Sequence, residues 1–139
     1  MGDSQSGQLW EMDSAVHVDA EGLPLRRERV CPFLTEHMKN IRHNQLTLDC
    51  DTGVGLDVAS DQPGYDPQVL MRYSNDRGKT WGNERQASLG KIGETKTRVI
   101  FNQLGSARIG RAYELVCSDP VPLTINTAYL KLGAPEAGR

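Results

Sequence analysis

The sequence predicts an all-β fold, an antiparallel β-sandwich or a barrel-like pair of sheets, carrying one Asp-box hairpin. Three observations point there. Apolar and polar residues alternate with a period of two in several separate stretches. Turn-forming residues fall between those stretches. No stretch sustains the 3.6-residue period of an amphipathic helix.

In chain order, strands are expected first at Gln8–Met12 and Ala15–Val18, and, after the turn at Glu21-Gly22, at Leu25–Val30. Thr35–His43 has some amphipathic helical character, but Ile41 runs directly into the next strand, so a long strand is the better reading. Gln45–Asp51 alternates strictly, placing Leu46, Leu48 and Cys50 on one face, and stops at Thr52-Gly53. Past Gln62-Pro63-Gly64, strands are expected at Val69–Tyr73, Arg85–Ser88 and Thr97–Asn102, with turns at Arg77-Gly78 and Leu104-Gly105. Ala112–Cys117 alternates again and ends at Asp119-Pro120, and Leu123–Leu132 is the last strand. The 139 residues fit a single domain over 1–132, with 133–139 expected as a flexible C-terminal tail.

Composition narrows the function classes. The longest apolar runs are only a few residues, against the ~20 that a spanning helix needs. Met1 to Gly7 lack the basic and apolar regions of a secretory signal. Sixteen Lys and Arg face 18 Asp and Glu, a net charge of -2, which argues against a strongly basic free-standing DNA binder. Collagen, coiled coil and disulfide knot do not fit the composition. Cys31, Cys50 and Cys117 are widely spaced and odd in number, so buried thiols in a reducing compartment are expected. Cys31, His37, His43 and Cys50 are the local candidates for zinc, but their spacing matches no standard site. No metal and no cofactor is expected.

Charge is uneven along the chain. Residues 1–65 hold 5 Lys and Arg and 11 Asp and Glu, whereas residues 66–139 hold 11 and 7. An ordinary solvated surface gives such a split. So does a subunit with one acidic and one basic side, whose copies attract head to tail and close into a ring.

The most specific string is Ser74-Asn75-Asp76-Arg77-Gly78-Lys79-Thr80-Trp81, an S-x-D-x-G-x-T-W Asp-box. Gly78 supplies the positive φ of a tight hairpin. The Asp76 carboxylate, and Ser74 more weakly, accept hydrogen bonds from turn N–H groups, and Thr80 completes the box. Trp81 is expected to fold under the turn and anchor it. None of these is a nucleophile or an acid–base pair, so the box is read as structural. Asp-boxes recur in sialidase-like propellers, but a propeller needs at least four blades of ~40–50 residues each. The chain is too short and carries the box once. No pair of carboxylates sits in a stretch that would raise a pKa, so no enzyme is expected.

Other strings carry less. Asp49–Asp57 resembles a calcium loop only in part, with Ser60 where the twelfth position needs Glu, and reads as a strand-ending turn. Gly53 and Gly55 open no phosphate loop. His17 is expected as an exposed strand residue without a nucleophile to partner it. Arg26-Arg27-Glu28-Arg29 reads as a solvated strand edge or a subunit contact. Arg98, Arg108 and Arg111 are the candidates for subunit or DNA contact, although no aromatics interleave them.

An ordered set of strings carries a family resemblance. It comprises Asp66 to Trp81, Leu89-Gly90-Lys91-Ile92-Gly93, Arg98 to Gly105, Ala107-Arg108 and Ser118-Asp119-Pro120-Val121. Together they resemble the C-terminal region of the tailed-phage packaged-DNA stabilisation family of tail accessory or hub proteins. Gly2 to Met12 and Leu48 to Gly55 are similar less specifically, so the resemblance spans roughly residues 2–132. Family members are much longer, so the chain is expected to be either a separately encoded terminal module or part of a longer protein. The resemblance implies a virion structural protein of the tail or head–tail region, assembled in the host cytoplasm. It implies copies in a symmetric ring, contact with other tail or portal-complex proteins, and a part in closing the DNA exit channel. Packaged DNA would be touched through weak basic patches. The alternatives are a carbohydrate-binding module for host-surface adsorption, with Trp10, Trp81, Tyr65 and Tyr129 as platforms, or a capsid-surface decoration protein.

Overall fold

The computed structural model describes Gly2 and residues 4–134. Eight strands follow one another there: β1 (Arg27–Val30), β2 (Ile41–Cys50), β3 (Gln68–Ser74), β4 (Arg85–Ser88), β5 (Val99–Asn102), β6 (Ser106–Ala107), β7 (Ala112–Cys117) and β8 (Ile125–Leu132). Every pairing between them is antiparallel. One sheet has the order β1-β7-β3-β4. The other is built on β2, with β8 on one side and β5 followed by β6 on the other.

Alternation explains how the two sheets meet. Leu46 and Leu48 of β2 and Val99 and Phe101 of β5 face Val69 and Met71 of β3 and Tyr113, Leu115 and Cys117 of β7. Leu89, Leu104 and Val121 from loops close the same core. β7, flanked by β1 and β3, is buried along its whole length. On its outer side Glu114 pairs with Arg72, the residue opposite it on β3. The guanidinium holds the Glu114 carboxyl below its ordinary pKa by hydrogen bonding.

β5 and β6 are one strand interrupted by a bulge. Leu48 pairs with Val99 and Ile41 with Ala107, so one more residue is spent on the β5–β6 side than on β2. Gln103 and Gly105 absorb it at φ 55° and 72°. Their segment stays bonded to β2, the Gln103 N–H to Asn44 O at 3.0 Å and the His43 N–H to Gly105 O at 2.8 Å.

The two long sides of the sandwich differ. On one, Arg85 of β4 reaches across to donate to Asn102 O at 2.7 Å and Gln103 O at 3.2 Å, lacing the sheets together. On the other stand the short β1 and the eight-residue β8, which among the described residues pairs only with β2.

Several expectations need correction. Gln8–Met12 and Ala15–Val18 are not strands, and only isolated bridges form, Gly2 with Leu9 and Val18 with Pro24. Among the described residues neither segment is paired into a sheet, and Leu9 and Met12 are 87% and 83% exposed. Asp13 and Asp19 accept hydrogen bonds from the N–H groups of Ala15 and Glu21, which turns the chain instead. His17 is therefore a half-buried loop residue rather than an exposed strand one. The long strand begins at Ile41, because His37 and Met38 take positive φ of 48° and 57° in a turn. Of the expected tail, Gly133 donates to Arg42 O at 2.7 Å and extends the sheet, whereas residues 135–139 lie outside the described ones.

The loop after β2 is a strand-ending turn held by close backbone approach. The Gly53 N–H bonds to Leu89 O at 2.8 Å and the Gly55 N–H to Gly90 O at 3.2 Å. A Cβ on Gly55 would lie 2.7 Å from the Ile92 nitrogen, so only glycine fits there without a shift.

Candidate interaction surfaces and the turn beside them

The 74–81 segment closes the end of β3. The Ser74 hydroxyl donates to Asp76 Oδ1 at 2.6 Å and accepts the Gly78 N–H at 2.8 Å. Asp76 also accepts the Thr80 N–H at 2.8 Å and the Thr80 hydroxyl. These hydrogen bonds, from Ser74 first and then Thr80, pull the Asp76 carboxyl down to a pKa of about 2. Arg77 and Gly78 both have positive φ, at 63° and 86°. Trp81 is half-buried and has the Arg72 guanidinium 5.2 Å from its ring centroid. The ring thus lies on the outer face of the first sheet, over the cation that pairs with Glu114.

The three candidate contact arginines do not group. Arg98 precedes β5 opposite one end of β2, and Arg108 follows β6 opposite the other. Seven strand residues separate those ends, ~23 Å at ~3.3 Å per residue. Both are exposed. Arg111 is not a surface contact at all. Only 1% exposed, it donates to Asn75 Oδ1 at 2.8 Å, Leu104 O at 2.5 Å and Ser106 O at 3.1 Å. Its guanidinium carbon stands 3.9 Å from the Tyr73 ring centroid. The residue precedes β7 with the inward parity of Tyr113, which sends its side chain between the sheets. There it joins the 74–81 turn to the β5–β6 bulge.

Beside it lies a polar contact that sequence reasoning missed. Tyr113 Oη and His43 Nδ1 share a 2.7 Å hydrogen bond across the sheets. Burial first, and then the positive charge of Arg111, lower the His43 pKa to about 4. The alternation that buries Leu46 and Leu48 would turn His43 outward, and the irregularity in β2 between His43 and Gln45 reverses it, so no local signal pointed here. Among the described residues no cluster of His, Cys, Asp and Glu could hold a metal ion, so Cys31, His37, His43 and Cys50 do not come together as a set. The three cysteines are free thiols.

The outer face of the second sheet is an open, shallow concavity lined by Gln45, Thr47, Lys96, Arg98, Ile100 and Tyr129. Tyr129 is 62% exposed. Of the other platform aromatics, Trp10 is exposed, Tyr65 has Lys91 5.0 Å from its ring, and Trp81 has Arg72. The four rings do not line one groove. Among the described residues no helix is long and apolar enough to cross a membrane.

The fold is thus a two-sheet antiparallel sandwich with polar groups buried between the sheets and a shallow outer face. Residues 26–133 match the family described as "Bacteriophage P22 Gp10, beta-sandwich". The chain belongs to that family, and with it to the structural proteins of the phage tail. No curated protein matches the chain.

Proposed function

We propose that the chain is a non-enzymatic building block of the virion, one of several copies in a symmetric ring at the tail or head–tail junction. There it helps close the DNA exit channel, beside other tail or portal-complex proteins. The observation that carries this reading is the unevenly finished sandwich, laced on one side by Arg85 and open on the other along β8. An edge strand left unpaired is a template for another chain, and assembly covers it. Contact with DNA would come from Arg98 and Arg108 repeated around the ring, each weak alone. Electron microscopy of the purified protein and of particles containing it tests the proposal. Rings, and density for the sandwich at a symmetric tail position, are expected; monomers, or particles without the protein, contradict it.

In this reading Ser74, Asp76, Gly78, Thr80 and Trp81 form an Asp-box that serves the fold and no chemistry. A Cβ on Gly78 would stand 3.7 Å from Trp81 Cζ2, in ordinary contact, so Gly78→Val suffers from its φ rather than from crowding. A loss of ~1–2 kcal/mol is expected. Trp81→Ala is expected to cost ~2–3 kcal/mol, below the usual range for a fully buried ring because this one is half-buried. Urea denaturation of both variants checks this, and midpoints equal to the parent's would remove the box from the account.

A further inference from the structure

We infer that the two ends of the sandwich are complementary, the basic end of one copy docking on the acidic end of the next. The inference rests on the ring reading above and adds a contact distinct from the β8 edge.

The strand order sorts the loops into two ends. Segments 31–40, 75–84 and 103–111 precede β2, follow β3 and precede β7, so they meet at one end. Leu34 bridges to Arg111, the Thr35 hydroxyl donates to Ile109 O at 2.6 Å, and the Arg77 guanidinium lies 5.5 Å from the Phe33 ring centroid. Segments 51–67, 89–98 and 118–124 follow β2, β4 and β7 and lie at the other end. Residues 14–18 join them there and line an open groove with Leu56, Pro120 and Pro122. The ten residues of β2 separate the two ends, ~33 Å at ~3.3 Å per residue.

Each end has an apolar centre. At the first, Leu34, Met38 and Ile109 are 42%, 63% and 43% exposed. At the second, the groove of about 920 Å³ is walled mostly by Val16, Val18, Leu56, Pro120 and Pro122.

The charges around these centres have opposite sign. The three segments of the first end hold five Lys and Arg against three Asp and Glu. Arg111 is buried, which leaves Lys39, Arg77, Lys79 and Arg108 exposed. Asp76 is engaged by Ser74 and Thr80 within its own turn, so Glu36 and Glu84 are the exposed acids. At the second end, segments 13–26, 51–67, 89–98 and 118–124 hold nine Asp and Glu against four Lys and Arg. Those four cations are turned to other uses. Arg26 pairs with Glu28, Lys91 stacks on Tyr65, and Lys96 and Arg98 line the outer face of the second sheet. Beside the groove, Asp13, Asp19, Asp57 and Asp61 are exposed.

An apolar knob ringed by cations therefore fits an apolar groove flanked by carboxylates. Apolar burial supplies the driving force and the charges set the orientation. Like ends brought together would face like charges. The two surfaces differ and lie at opposite ends of one domain, so the contact is head to tail, the kind that closes into a ring.

The test reverses charge at each end and follows mass by light scattering. Lys39→Glu with Arg108→Glu, and separately Asp57→Lys with Asp61→Lys, are each expected to weaken assembly about tenfold or more. Melting temperatures are expected to stay unchanged, because all four side chains are exposed. A chain carrying all four substitutions is expected to assemble again, since both rims have exchanged sign. Should a charge variant fail to fold, mixed Ile109→Cys and Val16→Cys proteins under mild oxidation decide, with a linked pair expected beyond the single-variant and parent controls. Assembly indifferent to the reversals, a fourfold variant that stays dissociated, or an assembling mixture without the cross-link overturns the inference and leaves the ring standing. So does a Lys39→Glu, Arg108→Glu protein that assembles normally but loses duplex DNA bound by the parent, which would assign the basic end to DNA. A parent that is monomeric at every concentration overturns both.

Discussion

Replacing Arg111 with methionine is expected to lower unfolding stability by ~3–5 kcal/mol, the usual cost of breaking a buried charged network by removing one partner. The side chain fills space between the sheets and supplies three hydrogen bonds, two to backbone carbonyls at the β5–β6 bulge and one to Asn75. Methionine approximates the volume but leaves Leu104 O and Ser106 O without that donor, each a desolvation penalty of ~1–3 kcal/mol. It also removes the cation from the face of Tyr73. Lysine is expected to rescue little, because a single ammonium cannot serve three acceptors in a planar fork while stacking on a ring. Against a total stability of ~5–15 kcal/mol for an ordinary domain, this is about a fifth or more. Chemical denaturation measures it, and a loss below ~1 kcal/mol in Arg111→Met would show that the network is dispensable.

The second large effect is acid sensitivity set by His43. In the unfolded chain the imidazole takes a proton near its ordinary 6.5, whereas in the fold it does so only near 4. Below 6.5 the unfolded state therefore binds more protons, and stability falls with pH until about 4. At 1.36 kcal/mol per unit, the displacement is worth ~3 kcal/mol over that window. Above pH 7 the contribution is flat. The physical cause is plain: His43 is 3% exposed, Tyr113 occupies Nδ1, and Arg111 stands nearby as a like charge to any imidazolium. Carboxylates titrate near the lower end of the same window, so the measurement is the difference between the parent and His43→Gln. The variant is expected to show a curve flatter by roughly that amount, ~3 kcal/mol, between pH 7 and 4. Parallel curves would mean that the histidine is protonated in the fold.

Much of the fold was legible because alternation reports directly which side chains share a face. Leu46 and Leu48, Val69 and Met71, and Tyr113 and Leu115 all point inward as their spacing requires. Alternation does not report whether a face is covered. Gln8–Met12 has strand-forming residues but makes one isolated bridge rather than a strand, whereas the last strand alternates cleanly in Ile125–Leu132 and remains mostly exposed at an edge. Nor does it locate bulges, so the break between Asn102 and Ser106 became visible only through its pairing with β2.

Arginine was the harder residue. An isolated Arg in a string reads as surface, because burial of a guanidinium requires acceptors supplied from distant segments. For Arg111 those acceptors are Asn75, Leu104 and Ser106, on two other elements, and no local pattern assembles them. The hairpin at 74–81 lies at the opposite extreme. The hydrogen bonds among Ser74, Asp76, Gly78 and Thr80 span at most four residues, so their geometry follows from the string itself.

A sandwich finished by neighbouring copies rather than by its own chain, as proposed, must show itself in the mass of the 139-residue chain in solution. Light scattering across a concentration series is expected to give several times the 15.4 kDa of one chain, shifting toward a single subunit only on dilution or in high salt. A 15.4 kDa species at every concentration and ionic strength would contradict it.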